Sequence, residues 1–441
     1  MTVTTALETL AALPDVTVSP ATEADAVDGV PPAVVVRPAR AAAVSAVLRA
    51  AAAHGWRVVP RGGGTALDLG NTPRGVDLVL DLSALTAVVE YRPQDLTVTV
   101  EAGATVAAVQ ALLAARGQVL ALDPPLPERA TVGGALAANL SGPRRLRYGT
   151  ARDIVIGTGA VLADGSEVKA GGRVVKNVAG YDLNKLFIGS VGTLGVITRV
   201  TFKLLPAPPE RAALVLSVPE PEAACRLAWQ IASSTLAPLA LDIAGPGALA
   251  LPASHPAHTA TDRWSVVVEI GGTPAMLART RAELLTLARA AGATPDQVPD
   301  GEAVDALMGG LRDFGRTPGR EAALLLRVAV LPSQVGEVIE LLAAMTVDGA
   351  PPALVARAGN GVVYATWTRA ADPSLPATVE RLRRELARLH GVLVVERCPT
   401  AVKQALDVWG IEGADVTLMR RLKKAYDPTG ILSPGRGPGH I

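Results

Sequence analysis

A short glycine-rich stretch directly after a predicted strand combines residue types that can bind an anion. It reads Pro60-Arg61-Gly62-Gly63-Gly64-Thr65. Three consecutive glycines remove every Cβ, so successive backbone N–H groups can converge on a phosphate beside the Arg61 charge and the Thr65 hydroxyl. This pattern predicts a diphosphate cradle, although a flexible turn would use the same residues. No Gly-Lys-Ser/Thr follows and the GxGxxG spacing is missing, which disfavours a nucleotide kinase and an NAD dehydrogenase.

Two further segments mix small and polar residues. The first runs from Asp123 to Gly149 without helical periodicity, which suits a long loop with a short helix lying against a flat ligand. Loops this long without secondary structure are usually functional. The second runs from Gly189 to Ile197, with glycines at three-residue spacing before an apolar strand, which lets main chain approach a ligand. A surface loop and a tight turn are the structural alternatives. The candidate binding residues in the two segments are Pro124, Thr131, Gly133, Gly134, Asn139, Ser141, Tyr148, Gly192, Gly195 and Ile197.

A polar cluster, Lys176-Asn177-Val178-Ala179-Gly180-Tyr181-Asp182, precedes the second segment. It combines a cation, an amide, a phenol and a carboxylate. These groups could serve a flavin, a substrate acid or an internal hydrogen-bond network. For Tyr181 and Asp182 a structural role is at least as well supported by the sequence.

Short strands and helices alternate in the first half and position these segments. A brief apolar run at residues 33–37 ends at Pro38, and residues 57–60 are short, β-branched and stopped by proline, so both predict strands. Alanine-rich residues 41–54 predict a helix closed by Gly55. Thr105 caps a further predicted helix. Proline-rich residues 206–210 mark the first domain border, and helices alternate with strands beyond it. The order predicts layered α+β domains.

Composition excludes several classes of protein. The 441 residues include 42 lysines and arginines against 41 aspartates and glutamates, so net charge gives no support for nucleic-acid binding. Two cysteines, Cys225 and Cys398, are too few and too far apart for a disulfide framework or a zinc ribbon. No stretch reaches about 18 uncharged apolar residues, and residues 1–5 lack the basic start and the uninterrupted apolar core typical of a signal peptide. We therefore expect a cytoplasmic protein without direct membrane insertion.

Taken in order, the glycine segments resemble the FAD-binding domain of the vanillyl-alcohol oxidase and p-cresol methylhydroxylase (PCMH) type. Within it, Arg144-Arg145-Leu146-Arg147-Tyr148-Gly149 and residues 176–187 are similar to bacterial glycolate oxidase flavoprotein subunits. The closing sequence Tyr426-Asp427-Pro428-Thr429-Gly430-Ile431-Leu432-Ser433-Pro434-Gly435-Arg436 is similar to the same group. The resemblance covers residues 33–206 and about the last 25 residues, and it is poor between them.

The resemblance implies an α+β fold with non-Rossmann FAD binding between two subdomains, split near residue 100, and an α+β cap domain. It places the FAD domain at residues 1–206, the cap at 210–410 and a returning C-terminal segment at 411–441. Residues 61–65 would hold the diphosphate, and Thr131, Gly133, Gly134, Asn139 and Ser141 would line the cofactor's path. Residues 192–197 would contact it through main chain. Some relatives attach flavin to a histidine in the glycine loop; Thr65 stands there, so binding is expected to be non-covalent.

The chain departs from catalytic members of this group in the cap. Those members carry Gly-Asn-Leu-His and Glu-His-Gly motifs, whose histidines hold a metal and abstract the substrate proton. The counterparts are Gly361-Val362-Val363-Tyr364 and Glu396-Arg397-Cys398, without histidine. His255 and His258 flank Pro256, which disfavours a regular ligand pair. We therefore expect no metal site, and the catalytic residues stay unknown.

Three hypotheses follow. The first is an FAD-binding subunit of a glycolate oxidase complex, partnered by a homologous catalytic flavoprotein and an iron–sulfur subunit. The substrate of the complex would be glycolate or D-lactate, and the chain would attach to the membrane only through its partners. The second is a stand-alone FAD-dependent oxidoreductase of another substrate, with Tyr364, Glu396, Lys176 or Tyr181 as acid–base groups. The third is a flavin-free scaffold. Intact glycines argue against the scaffold, because only a ligand obviously requires Gly62, Gly63 and Gly64.

Overall fold

The computed structural model describes residues 3–172, 181–249, 262–298 and 301–441. Lys176, His255 and His258 lie outside these ranges. The chain forms two compact units. The first contains Met1–Leu140, Thr150–Pro206 and Lys403–Ile441, and the second contains Ser141–Gly149 and Ala207–Val402. The last part of the first unit begins at Lys403. No helix of the described residues has the length and apolar character needed to cross a membrane.

Helices and strands are numbered in chain order. The helices are α1 (Val3–Ala11), α2 (Ala41–His54), α3 (Val106–Ala114), α4 (Val132–Ala138), α5 (Arg145–Tyr148), α6 (Ala151–Ile154), α7 (Asn184–Phe187), α8 (Pro221–Ala232), α9 (Pro274–Ala290), α10 (Glu302–Arg312), α11 (Val335–Ala343), α12 (Leu375–Ala387), α13 (Thr400–Ala405) and α14 (Ala414–Tyr426). The strands are β1 (Val16–Pro20), β2 (Val34–Pro38), β3 (Val58–Arg61), β4 (Leu78–Asp81), β5 (Val88–Arg92), β6 (Thr97–Glu101), β7 (Gln118–Val119), β8 (Val155–Val161), β9 (Glu167–Gly171), β10 (Val196–Lys203), β11 (Leu205–Pro206), β12 (Glu210–Val218), β13 (Ala240–Ala244), β14 (Trp264–Gly272), β15 (Thr294–Val298), β16 (Leu324–Ala329), β17 (Ala353–Arg357), β18 (Val362–Trp367) and β19 (Val392–Arg397).

The first unit contains separate sheets, as expected for two subdomains. One sheet has the order β1-β2-β4-β3, in which β2, β4 and β3 run parallel and β1 runs antiparallel to β2. The other has the order β5-β6-β10-β8-β9 and is antiparallel. A short β11-β7 pair lies in the same unit. The α+β architecture predicted from the sequence is confirmed.

Local sequence explains the elements that carry the glycine segments. Gly55 ends α2 in the left-handed conformation, with φ of 67°, and the apolar face of α2 packs in a core with Val58, Leu78 and Leu80. Thr105 accepts a hydrogen bond from the Ala108 N–H and caps α3. Because β3 and β4 run parallel and are paired from Val58 to Arg61, Arg61 lies beside Asp81 at the carboxyl edge of this sheet.

The C-terminal segment completes this sheet. The Val58 N–H donates to the Ile431 carbonyl and the Ser433 N–H donates to the Val58 carbonyl, each at 2.8 Å. Ile431 and Leu432 are buried in the same core as Val58. The outer edge of β3 is thereby paired with residues from the far end of the chain.

The second unit is built on one antiparallel sheet with the order β15-β12-β14-β13-β17-β18-β16-β19. Strands β12 and β14 pair along nine residues, from Glu210↔Gly272 to Val218↔Trp264. Helix α8 packs against β13 and β14, and the core includes Val215, Val267 and Val355 together with apolar residues of α10. Segment Ser141–Gly149, with α5, belongs to this unit.

Candidate functional site

A cleft in the first unit gathers most of the residues predicted to bind a cofactor. It encloses about 770 Å³, including space open to solvent. The predicted residues that line it are Arg61, Gly62, Gly63, Gly64, Thr65, Thr131, Gly133, Gly134, Gly192, Gly195 and Ile197. Three segments far apart in sequence therefore meet at one place: the loop after β3, the start of α4, and the turn before β10.

Packing against other protein segments explains two of the loop glycines. A Cβ on Gly62 would lie 2.1 Å from Thr131 Oγ1, and a Cβ on Gly63 would lie 1.7 Å from the Arg129 carbonyl oxygen. Gly64 is different, because its φ of +72° favours glycine, while a Cβ there would lie 3.9 Å from its nearest neighbour, Leu67 Cδ1. The expectation that only a ligand requires these glycines is therefore wrong for Gly62 and Gly63, since the fold itself requires them.

The main chain of residues 62–66, here called the 62–66 loop, offers unused hydrogen-bond donors. Within the described part of the chain, the N–H groups of Gly62, Gly63, Gly64, Thr65 and Ala66 have no protein acceptor. The loop is partly exposed and lines the cleft. Successive free N–H groups in a glycine loop bind anionic oxygens well. The residues present therefore fit the diphosphate of a dinucleotide.

Arg61 is already paired within the protein. Its Nη1 lies 2.7 Å from Asp25 Oδ1, and its Nη2 lies 3.2 Å from Asp81 Oδ2. Burial opposes ionisation of Asp25, but hydrogen bonds from Arg61 and Thr22 lower its pKa to about 2. Arg61 thus anchors the start of the 62–66 loop to two carboxylates, in contrast to the available cation expected from the sequence.

Thr131 and Asn139 have structural roles at the two ends of α4. The Thr131 hydroxyl accepts a hydrogen bond from the Gly134 N–H at 3.3 Å and caps the helix. Asn139 ends the helix in the left-handed conformation, with φ of 50°, and is exposed. Thr131 lines the cleft, whereas Asn139 does not. The asparagine in the sequence pattern is accounted for by helix termination.

Three other predicted residues are not among those that line the cleft. Pro124 is buried in the segment between β7 and α4. Ser141 and Tyr148 belong to the second unit. Their segment is fixed there because Arg144 makes a two-pronged ion pair with buried Glu269, with both Nε–Oε2 and Nη2–Oε1 at 2.9 Å. Burial raises the pKa of the Tyr148 phenol, and Glu269 adds to the shift.

Several residues of the cleft are not predicted as binding residues by the sequence. They are mostly apolar or lie next to predicted ones: Val59, Pro60, Ala66, Leu67, Leu82, Ala102, Ala137, Ala138, Val191 and Arg436. Val191 is unusual because a β-branched residue adopts a φ of 45°. Arg436 belongs to the closing sequence that the resemblance singled out, which is the one signal that pointed to it.

The second unit contains a buried carboxylate held by two arginines. Glu396 Oε2 lies 2.7 Å from Arg316 Nη2, and Glu396 Oε1 lies 2.6 Å from Arg327 Nε. Burial opposes ionisation of Glu396, but the charges of Arg316 and Arg327 outweigh it and hold its pKa below the ordinary value. Glu396 is therefore a fixed anion and an unsuitable general base near neutral pH.

Tyr364 stands directly opposite Arg327 in the pairing of β18 with β16. The Arg357 guanidinium lies 5.5 Å from the centre of the Tyr364 ring and donates to Asp242 Oδ2 at 2.7 Å. Burial raises the pKa of Tyr364, and the Glu396 charge adds to the shift. Tyr364 thus stays protonated near neutral pH.

Asp182 has the structural role that the sequence allowed, whereas the Tyr181 side chain projects into solvent. Tyr181 is 96% exposed, so it does not line an enclosed site. Asp182 Oδ1 accepts hydrogen bonds from the Asn184 N–H at 3.2 Å and from Asn184 Nδ2 at 2.8 Å, at the start of α7. Among the described residues, no group of three or more His, Cys, Asp and Glu side chains could hold a metal ion.

Comparison with known families identifies matches to both units. A family described as "FAD binding domain" matches residues 32–171. A second, described as "FAD linked oxidases, C-terminal domain", matches residues 207–436. The second match alone covers more than half of the chain.

Relatives are found along the whole chain and along part of it. "Glycolate oxidase subunit GlcD" of Bacillus subtilis (strain 168) is 27% identical over 92% of this chain and 88% of that protein. "D-lactate dehydrogenase" of Archaeoglobus fulgidus is 30% identical over 91% of this chain and 90% of that protein. "Glycolate oxidase subunit GlcE" of Escherichia coli (strain K12) is 40% identical, over 34% of this chain and 44% of that protein.

A solved structure has the same fold. p-Cresol methylhydroxylase with substrate bound has a TM-score of 0.71 with this chain, at 15% sequence identity, and the match covers 98% of this chain and 96% of that one. At this identity the likeness concerns the fold, and it confirms the predicted PCMH-type architecture.

Proposed function

The chain belongs to the family of FAD-linked oxidases, and on that premise we propose that it is the FAD-binding subunit of a complex that oxidises a small 2-hydroxy acid such as glycolate. It is an FAD-dependent oxidoreductase with a PCMH-type fold. Bound FAD supplies hydride and electron transfer, while the protein binds and orients it. Within the proposed complex, the flavin of this subunit relays electrons or stabilises assembly.

The 62–66 loop is proposed to hold the FAD diphosphate. Its free N–H groups supply donors, and the pairing of Arg61 with Asp25 and Asp81 fixes where the loop begins. Gly133, Gly192 and Gly195 are proposed to let main chain approach the cofactor, and apolar Ile197 to pack against it. Thr131 packs against the loop at Gly62.

Binding is proposed to be non-covalent. Thr65 occupies the end of the glycine loop, and the nearest histidine in sequence is His54. The His54 ring stacks on Trp56, with ring centres 4.4 Å apart, and its Nδ1 lies 2.9 Å from the Ala50 carbonyl oxygen at the end of α2. These contacts support a helix-ending role for His54.

The observation that supports the accessory role is the lowered pKa of Glu396, which makes this carboxylate a weak base. A dehydrogenase of a 2-hydroxy acid needs a group that accepts the substrate proton. Glu396 is held as an anion by Arg316 and Arg327, and Tyr364 is held in its protonated form. Neither of these two groups is suited to accept the substrate proton, and the proposal assigns proton abstraction to a separate, homologous catalytic flavoprotein.

The named relatives support a multi-subunit arrangement. Two of them are called subunits of glycolate oxidase. We propose an iron–sulfur subunit as the further partner, because two cysteines in this chain cannot supply the four thiolates of a common cluster. Attachment to the inner face of the membrane is proposed to occur through these partners.

A second candidate is a stand-alone dehydrogenase acting on D-lactate or a related acid. It is favoured by the Archaeoglobus fulgidus relative, which is similar along nearly the whole chain, whereas the GlcE similarity covers a third of it. In that case a group other than Glu396 must accept the proton.

The test compares the purified chain alone with the reconstituted complex. Acid-released FAD is quantified, and turnover of glycolate and D-lactate is followed with an artificial electron acceptor. The proposal expects FAD bound at about one equivalent, no turnover by the lone chain, and turnover after addition of a catalytic flavoprotein and an iron–sulfur subunit. Turnover by the lone chain would overturn the accessory role in favour of the second candidate.

A further inference from the structure

Arg436 connects the C-terminal segment to the residues that follow the 62–66 loop. Its side chain is buried, with 3% exposed. One nitrogen, Nη2, donates to the Leu67 carbonyl at 2.7 Å and to the Leu69 carbonyl at 2.6 Å. Arg436 also lines the cleft. A single guanidinium therefore fixes the main chain on the far side of the loop from Arg61.

The main chain around Arg436 is bound to the same turn, here residues 67–71. Its carbonyl accepts hydrogen bonds from the Asn71 N–H at 3.1 Å and from Trp409 Nε1 at 2.9 Å. Buried Asn71 also donates through Nδ2 to the Gly437 carbonyl at 3.0 Å and accepts the Val408 N–H at 2.9 Å. Asn71 thus binds the C-terminal segment at Val408, Arg436 and Gly437, and the Trp409 indole joins two parts of that segment to each other.

Close approach of the two backbones depends on Gly70. Its φ is +106°, and a Cβ there would lie 2.9 Å from the Arg436 carbonyl oxygen. The turn and the C-terminal segment therefore meet main chain to main chain. Such a contact transmits a displacement of one segment to the other without an intervening side chain.

Ion pairs complete the attachment. Lys403 is 1% exposed and its Nζ lies 2.6 Å from Asp28 Oδ1, and it also donates to the Asp68 carbonyl. Arg436 Nη1 lies 3.6 Å from Asp28 Oδ2. Lys403 and Arg436 thus face one carboxylate from the N-terminal part of the chain, and Asp68, whose carbonyl Lys403 binds, directly follows Leu67 in sequence.

We propose that Arg436 is a positioning residue for the flavin: by holding the Leu67 and Leu69 carbonyls, it fixes the 62–66 loop in the conformation that presents its N–H groups. Flavin affinity then depends on docking of Lys403–Ile441. The inference rests on the proposed role of the 62–66 loop as the diphosphate site. Arg436 acts through the loop, and its own contact with the cofactor is not required.

The experiment measures FAD binding to flavin-stripped full-length protein by fluorescence quenching, together with the melting temperature of the stripped protein. The test variant is Arg436→Met, and the matched control is Arg421→Met, an exposed arginine on α14. We expect FAD affinity to fall about tenfold to a hundredfold in Arg436→Met, as for lost hydrogen bonds to a charged group, and to stay within about twofold in the control.

Arg436→Lys provides a milder variant should Arg436→Met fail to fold. It keeps the charge but lacks the planar fork, so only partial recovery of FAD affinity is expected. Amide hydrogen exchange of its stripped form is expected to be faster at residues 66–71 than in the parent. If Arg436→Met and Arg436→Lys lower the melting temperature but leave FAD affinity unchanged, the positioning role is refuted.

Two substitutions at Gly64 that differ only in charge distinguish this inference from the proposed function. Gly64→Asp and Gly64→Asn have the same shape, and both residue types tolerate the left-handed conformation. Gly64→Asp alone places a negative charge beside the proposed diphosphate. If Gly64→Asp weakens FAD binding and Arg436→Met does not, the positioning role fails while the loop assignment stands. If neither substitution weakens FAD binding, the loop assignment itself fails.

Discussion

The first unit presents the free N–H groups of the 62–66 loop along a cleft, whereas the second unit encloses the Glu396 carboxylate between two guanidinium groups. In the first, the donors are main-chain groups without a protein acceptor in the described residues. In the second, charged side chains neutralise one another. Charged residues alone thus do not mark a reactive site: the cleft depends on uncharged backbone, and the buried charges stabilise a sheet.

The largest effect is expected from breaking the charge balance of the second unit. Glu396→Gln leaves Arg316 and Arg327 without their buried anion, so the unfolding free energy should fall by about 3–5 kcal/mol. Denaturant unfolding measures the loss. FAD content of the folded protein should stay unchanged, because the cleft lies in the other unit.

Glu385→Gln is the control for this substitution. Glu385 is partly exposed and pairs with exposed Arg388 on the same helical segment, so its loss should cost less than about 0.5 kcal/mol. Equal losses in the two variants would contradict the picture of a buried network that depends on Glu396.

A smaller effect is expected from a single methyl group in the 62–66 loop. In Gly63→Ala the new Cβ meets the Arg129 carbonyl, so the loop or the segment of Arg129 must move, at a cost of about 1–3 kcal/mol. FAD content should fall as well. Gly309→Ala on α10 is the control, because the atom nearest to its new Cβ, Arg312 Nη2, lies 3.7 Å away. It should keep both its flavin and its stability, and equal losses in the two variants would contradict the packing explanation for Gly63.

Asp25→Asn should change how stability depends on pH. The folded pKa of about 2 lies below the ordinary 3.8, so Asp25 contributes stability that is present above about pH 4 and is lost as the pH falls toward 2. The slope of unfolding free energy against pH over this window should therefore be shallower in Asp25→Asn. Urea titrations at several pH values measure it, and an unchanged slope would show that the Asp25–Arg61 pair contributes nothing.

The smallest perturbation is a probe of Cys225 on α8 in the second unit. Burial raises its pKa to about 11, and the charges of Glu222 and Glu340 add to the shift. Compared with a thiol of pKa 9.0, the thiolate fraction near neutral pH is about a hundredfold lower. In Cys398→Ser, alkylation of Cys225 by iodoacetamide should be slower than that of a cysteine peptide by this factor, and equal rates would contradict it.

Local sequence predicts the scaffold of the cleft well. The alanine-rich helix ended by Gly55 and the Thr105 cap are short-range features, and both are confirmed as α2 and α3. The positions of the glycine segments are also predictable, because each lies directly beside a strand or helix signal. Their convergence at one cleft follows from the family resemblance and not from the pattern.

The roles of individual residues are not predictable from the sequence, because they depend on partners distant along the chain. Gly63 is explained by Arg129, Arg61 by Asp25 and Asp81, and Arg436 by Leu67 and Leu69. Asn139 resembles a ligand residue in the sequence because helix termination and cofactor binding both use asparagine after a small-residue helix. The family resemblance predicts where cofactor-binding residues stand in the sequence, whereas the ion pairs between distant residues are known only from the structure.

The pairing of Val58 with Ile431 and Ser433 has a consequence for biosynthesis. A ribosome makes β3 before the second unit, and it makes Ile431 and Ser433 only after residues 207–402 have been translated. The outer edge of β3 in the nascent first unit therefore stays unpaired by these residues while the inserted unit emerges and folds. Flavin should therefore bind only after Ile431 and Ser433 have been made, and a chain truncated before Ile431 should fold its inserted unit but lack flavin.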